Sequence, residues 1–220
     1  GVITFDDGLE LVMSLGTAAE QMASSARTDA FPGTLLLVVG IDELKLEQHR
    51  LKAEDVGGPG SFCQIVDVLA LRSFRGATFG NYLLSGTDPA VMALKSALEN
   101  AGAVKVEVAR NLAFHTPLMK GIHDETKKAV EKLLENVKPP ICPVWLPSYR
   151  VLRPATDPSV IKTMLRSELS TCLTKPTHLH YIVADMIKEG CESFWCVGGD
   201  LLKTLMKHNR MFKTSCSIVP

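Results

Sequence analysis

The stretch from residue 34 to residue 109 constrains this chain more than any other part of it. Thr34–Gly40 is a β-branched and leucine-rich run that predicts a strand, and Asp42–Ala53 is a polar helix. Gly57-Gly58-Pro59-Gly60 is a loop. Phe62–Leu69 and Thr78–Ser85 predict two further strands. Thr87-Asp88-Pro89 caps a helix that runs through Asn100, with Pro89 at its first position. Ala101-Gly102 ends that helix, and Val104–Ala109 is a strand. The order is β-α-β-β-α-β, which defines a split βαβ, or ferredoxin-like, unit over residues 34–109.

The flanks follow a different plan. Phe5-Asp6-Asp7 offers N-cap chemistry, and Leu9, Val12, Leu15, Ala19 and Met22 recur at helical spacing to about Ser25. Phe31-Pro32-Gly33 breaks the chain before the insert. Beyond it, Thr116-Pro117 caps a helix to about Val137, and Pro139-Pro140 stops it. Ile141–Leu146 predicts a strand. Thr156-Asp157-Pro158 caps a helix to about Thr171, and Pro176 starts another to Lys188. Glu192–Val197 predicts a strand, Gly198-Gly199-Asp200 opens a helix to His208, and residues 209–220 are expected to be a tail. Strands alternating with helices predict a parallel α/β layer over residues 1–33 and 110–208. Two clear strands are fewer than such a layer normally needs. The expectation is therefore an incomplete sheet, with further strands supplied from elsewhere or a partner protein covering it.

Composition narrows the function classes. The 220 residues carry 24 basic and 24 acidic side chains, so the chain has no electrostatic footprint for nucleic acid. No apolar run approaches the roughly 18–20 residues of a membrane span, so no transmembrane segment is expected. Six cysteines without a C-x-x-C argue against a disulfide scaffold, and no Cys/His cluster has metal-ligand spacing. Gly57–Gly60 lacks the Lys-Ser/Thr of a phosphate loop. No metal and no cofactor is expected. Cys191, Cys196, Trp145 and Trp195 are assigned to the core. The chain opens on Gly1 without a signal-peptide pattern, and is expected to be processed or truncated there.

Few residues offer chemistry. His115 lies in a loop just before a predicted helix, a place that suits an aimed, accessible imidazole but by itself more often holds a capping or packing histidine. Ser14 precedes Leu15-Gly16, but Val12 stands where a nucleophile elbow needs glycine, and the preceding residues are helical. His178 and His180 are two apart, face different ways on a helix, and are expected to be solvated or capping. Lys120, Lys127 and Lys128 fit a solvated helix face.

Around His115, Ala113-Phe114-His115-Thr116-Pro117-Leu118-Met119 resembles the histidine motif of malonyl-CoA:acyl carrier protein transacylases, commonly Ala-Phe-His-Ser-Pro-Leu-Met. The likeness extends over most of residues 1–208. Gly1–Gly8 is similar to the family's Gly-Val-hydrophobic-Ser-Phe-Glu-Asp-Gly. Gly80–Thr87 is similar to the strand ending in Ser-Gly, and Leu173-Thr174-Lys175-Pro176 to Leu-Thr-Ser-Pro. Cys196-Val197-Gly198-Gly199 departs from Glu-Val-Gly-Pro-Gly. Lys138-Pro139-Pro140 and Thr156-Asp157-Pro158 look most like algal and other protist members.

The resemblance implies an α/β-hydrolase-like layer carrying a ferredoxin-like insert, in agreement with the pattern above. It implies ping-pong transfer of an acyl group from acyl-CoA through a serine to the acyl carrier protein. His115 would be the general base, with the backbone carbonyl of Cys172 orienting it. The family's serine sits in Gly-His-Ser-x-Gly, and no Gly-x-Ser-x-Gly occurs in this chain. The family's carboxylate-binding arginine matches Leu15, and no Lys or Arg precedes Arg27. The expected function is a homologue that is non-catalytic as the chain stands, serving as a structural subunit of a plastid or mitochondrial assembly. The alternative is the C-terminal part of an active transacylase of fatty acid synthesis, with its nucleophile upstream of Gly1.

Overall fold

A computed structural model describes residues 2–25, 33–74, 76–110, 112–197 and 215–219. Helix α1 (Phe5–Ser25) opens the chain. The Thr4 hydroxyl accepts from the Asp7 amide at 3.1 Å and donates to the Asp7 carboxylate at 2.6 Å, which satisfies one of the free amides of the first turn. Leu11 and Ala18 are its buried residues. Leu9 and Val12, read from spacing as part of the apolar face, point outward instead, at 46% and 64% exposure.

The insert forms as the pattern requires. Strand β1 (Thr34–Asp42), helix α2 (Glu43–Gly57), strands β2 (Cys63–Phe74) and β3 (Ala77–Gly86), helix α3 (Asp88–Asn100) and strand β4 (Lys105–Arg110) follow in order. The sheet order is β2-β3-β1-β4, with each neighbouring pair antiparallel. Alternate residues Leu36, Val38 and Tyr82, Leu84 turn to one face and meet Leu46 of α2 and Ala90, Val91, Leu94 and Leu98 of α3, all fully buried. Asp42 caps α2 by accepting from the Lys45 amide at 3.0 Å. Arg50 fastens α2 to β2, donating to Glu54 and to the Cys63 carbonyl, each at 2.7 Å. The ends of the insert pass very close to the site described below. A Cβ on Gly33 would lie 2.1 Å from the Gly86 carbonyl and 2.8 Å from the Ala113 side chain, so only glycine fits there.

Past the insert, a single 3₁₀ turn (Pro117–Met119) leads into helix α4 (Lys120–Glu135). Strands β5 (Val144–Trp145) and β6 (Val151–Leu152) precede helices α5 (Pro158–Thr171) and α6 (Leu179–Lys188), then strands β7 (Ser193–Val197) and β8 (Ser215–Val219). Val130, Leu133 and Leu134 of α4, Ile161 and Leu165 of α5, and Leu11 of α1 share one core. Arg166 of α5 adds a two-pronged, exposed pair to Glu131 of α4, at 2.8 and 2.9 Å.

Several expectations need correction here. The strand expected over Ile141–Leu146 shrinks to Val144–Trp145 and pairs antiparallel with β6. Pro143, inside that stretch and just before β5, has no amide to give a longer ladder. Among the described residues, the parallel pairing is that of β7 with β8, and β8 lies within the expected tail of 209–220. Trp195, assigned to the core, is 72% exposed. Its neighbour Phe194 takes the covered face of β7 against Val183, so the two-residue period sends Trp195 to the open one. The expected helix to His208 lies outside the described residues. No helix among the described residues is long and apolar enough to cross a membrane.

Candidate acyl-transfer site

His115 stands at the junction of the two parts, and its backbone conformation is unusual. Its φ is +63°, the left-handed region that side chains other than glycine and asparagine rarely adopt. Three hydrogen bonds hold it there. Its amide donates to the Leu173 carbonyl at 2.7 Å. Its ring Nδ1 lies 2.8 Å from the Cys172 carbonyl oxygen. Its own carbonyl accepts from the Gln64 side-chain amide at 2.9 Å. Next to it, the buried Thr116 hydroxyl donates to the Ala113 carbonyl at 2.6 Å, closing the turn that Pro117 then continues.

The partners on the far side come from a helix end. Helix α5 stops at Thr171, and the last carbonyls of a helix have no intrahelical donor. The carbonyls of Cys172 and Leu173, in the turn beyond it, meet the ring and the amide of His115. A carbonyl can only accept, so Nδ1 is the nitrogen that carries the proton in the neutral ring, which leaves Nε2 as the acceptor of that tautomer. This arrangement orients the imidazole through a backbone carbonyl and not a carboxylate. Among the described residues, no side-chain hydroxyl is bonded to that ring.

The structure brings the three residues singled out in the sequence into one neighbourhood. Leu15 of α1 packs in a cluster with Phe114 and Leu173, the chain neighbours of His115 and Cys172. Ala18, Met119 and Ile122 are the buried members of the same cluster. The Leu15 position is apolar on all the sides that these contacts define. Ser14 lies mid-helix in α1, not at a strand-to-helix turn, and lines a shallow depression with Glu10, Met13, Thr17 and Gln21. An elbow cannot form in a continuous helix.

A cavity of about 300 Å³ lies beside Cys172, lined in part by Tyr149, Arg150, Glu168, Thr171, Lys175 and His178. A second, more apolar depression of about 380 Å³ runs between Pro117, Lys120, Ser170, Thr171, Thr174 and Lys175. Both flank the 171–175 turn that carries the Cys172 and Leu173 carbonyls. Burial pushes the Cys172 thiol above its usual range, which keeps the sulfur protonated.

The other histidines differ from expectation. His178 precedes α6 in a left-handed conformation, makes no side-chain cap, and stacks on Tyr149 with ring centres 5.3 Å apart. His180 is partly buried, and its Nδ1 has no partner among the described residues. Burial lowers its pKa below the ordinary 6.5, against a smaller opposing pull from Asp67. The sequence reading missed Gln64 and Asp67. Gln64 leaves no sequence signal. Asp67 does, as an acid inside the apolar run Ile65–Leu71. Among the described residues, no group of three His, Cys, Asp or Glu side chains could hold a metal ion.

Comparison with solved structures places this fold. No family model matches the chain, and no curated protein matches it. The malonyl-CoA:acyl carrier protein transacylase of Coxiella burnetii aligns with 99% of the chain at a TM-score of 0.76 and 17% identity. The acyl carrier protein S-malonyltransferase of Vibrio cholerae aligns with all of it at 0.73 and 22% identity. A malonyl-transacylase in complex with its type II PKS acyl-carrier protein aligns at 0.77 and 20% identity over the whole chain. The fold is thus the mixed α/β acyltransferase fold of these enzymes. The chain spans 61%, 64% and 63% of the three structures, respectively.

Proposed function

We propose that this chain is part of a malonyl-CoA:acyl carrier protein transacylase homologue in which His115 is the general base, and that the chain by itself does not turn over. The observation that carries the reading is the 2.8 Å contact between His115 Nδ1 and the Cys172 carbonyl. It supplies the tautomer that a base needs, in a fold that known transacylases share. Nε2 would take the proton of a serine hydroxyl as its oxygen attacks the thioester carbonyl of acyl-CoA, and return it to the departing thiolate. A carrier-protein thiol would then reverse the sequence with the acyl-enzyme. The serine is not supplied by this chain's described residues.

Leu15 bears on the acyl group. A buried malonyl carboxylate without a cation is strongly disfavoured, and no Lys or Arg occurs before Arg27. The favoured donor is therefore an uncharged acyl group such as acetyl. A second reading has the protein as a non-catalytic subunit of a plastid or mitochondrial assembly, with a partner seated against β7. Leu15 and the exposed Trp195 favour it.

One experiment separates these readings. The 220-residue chain and the protein expressed from its complete reading frame are each incubated with labelled acetyl-CoA and malonyl-CoA, and intact masses are read. The transacylase reading expects no adduct on the chain alone. It expects an acetyl adduct on the complete protein, lost in His115→Asn, a substitution that tolerates the left-handed backbone. A complete protein that acquires no acyl group from either donor leaves the subunit reading in place.

A further inference from the structure

Strand β2 touches the acyl-transfer site from a direction that the histidine motif does not reveal. It is an edge strand of the four-stranded sheet, and its unpaired edge meets the 177–179 segment. Two irregularities interrupt its pairing with β3, between Ile65 and Asp67 and between Val68 and Ala70. Bulges free backbone groups from the ladder and re-aim side chains. The freed Val66 carbonyl accepts from the Thr177 amide at 2.9 Å. Asp67, itself buried, accepts from the Leu179 amide at 3.0 Å and from the Thr177 hydroxyl at 2.8 Å. Two residues before the bulge, Gln64 donates to the His115 carbonyl.

These contacts close a loop of constraints. β2 holds the 177–179 segment, which follows the 172–173 carbonyls by a few residues. It also holds His115, whose amide and ring reach back to those same carbonyls. A left-handed residue persists only where its surroundings over-determine it. Here the surroundings come from two separate elements.

We infer that Gln64 is a positioning residue: its side-chain amide locks the His115 backbone so that the ring keeps Nδ1 on the Cys172 carbonyl and Nε2 free. Asp67 and the Val66 bulge brace the opposite side of the same frame. The catalytic meaning of this device rests on the base role of His115 proposed above, but the geometry can be tested without catalysis.

The test is ¹⁵N NMR of the histidine rings in the 220-residue chain at pH 8, with the His115 signal assigned by its loss in His115→Asn. The native chain should show a single Nδ1–H tautomer with a slowly exchanging ring proton. Gln64→Met keeps length and removes the donor. It should give mixed tautomers and at least tenfold faster exchange of that proton. Gln64→Lys keeps an N–H donor at that reach and should retain the native signal. Gln64→Met that leaves tautomer and exchange unchanged overturns the inference. So does a folded Gln64→Lys that behaves like a donorless variant, which decides the matter even where Gln64→Met does not fold. Because no acyl donor is present, failure here is distinct from failure of the transacylase reading, which the mass experiment reports.

Discussion

Replacing Asp67 tests the joint between the two parts of the molecule most directly. Its carboxylate accepts three hydrogen bonds: from the Val68 amide at 2.8 Å, the Leu179 amide at 3.0 Å and the Thr177 hydroxyl at 2.8 Å. Two of these cross from β2 to the start of α6. A hydrogen bond to a charged group contributes about 1.5–3 kcal/mol net of desolvation. Thr177 retains a longer contact to the Val66 carbonyl at 3.4 Å, so the lower end of that range applies. Asp67→Ala should therefore cost about 3 kcal/mol, or about 6–12 °C in Tm for a domain of this size. Asp67→Asn keeps an acceptor for both amides, and the Thr177 hydroxyl can turn to accept from the new amide. It should cost about 1 kcal/mol or less. Urea unfolding with matched m-values gives the stabilities, and hydrogen exchange at the Leu179 amide reports the local opening. An Asp67→Ala protein as stable as Asp67→Asn, with Leu179 still protected, would refute the view of β2 as a brace.

Other outcomes follow from the same structure. Leu94→Ala removes a fully buried side chain from the centre of the insert and should cost about 3–4 kcal/mol by urea unfolding, whereas Met92→Ala on the exposed side of the same helix should stay within about 0.5 kcal/mol. Iodoacetamide at pH 8, followed by peptide mass mapping, should label the exposed Cys142 and leave Cys63 unmodified, because burial pushes the Cys63 thiol up to about 12 and keeps it protonated. His180 has a folded pKa below its unfolded value near 6.5, so the unfolded chain binds the extra proton as pH falls through that range. Stability should therefore drop from pH 7 to pH 5 more steeply in the native chain than in His180→Leu, a difference read from urea midpoints at each pH.

Much of the molecule was legible from local chemistry. The insert was readable because each of its elements carries its own period and its own punctuation. Alternating apolar residues mark β1, and Thr87, Pro89 and the Ala101-Gly102 pair bracket α3. Helix α5 was readable for the same reason, from its Thr156-Asp157 cap and first-turn proline, whereas α1 was readable from its spacing alone, since Thr4 caps it and Asp6 and Asp7 lie inside its first turn. These signals depend on residues a few positions apart, and steric and capping preferences act at that range. The layer around the insert was read less well. Pro143 interrupts a predicted strand that forms over two residues only, and the segment expected to be a tail supplies the partner of β7. Strand pairing joins residues far apart in sequence, and periodicity says nothing about which strand will be the neighbour.

The candidate site divides along the same line. The sequence by itself determined that an imidazole stands at residue 115 between a turn and a helix start, that residue 15 is apolar, and that no Gly-x-Ser-x-Gly accompanies them. Only the tertiary structure decided that this imidazole sits in a left-handed turn, that the turn after α5 and the start of β2 both bond to it, and that Gln64 makes the second of those bonds. The physical reason is that a hydrogen bond between residues 51 or 57 positions apart is a property of packing. The freed carbonyls beyond a helix end and a bulged edge strand become partners for His115 only once the core has brought them within three ångströms.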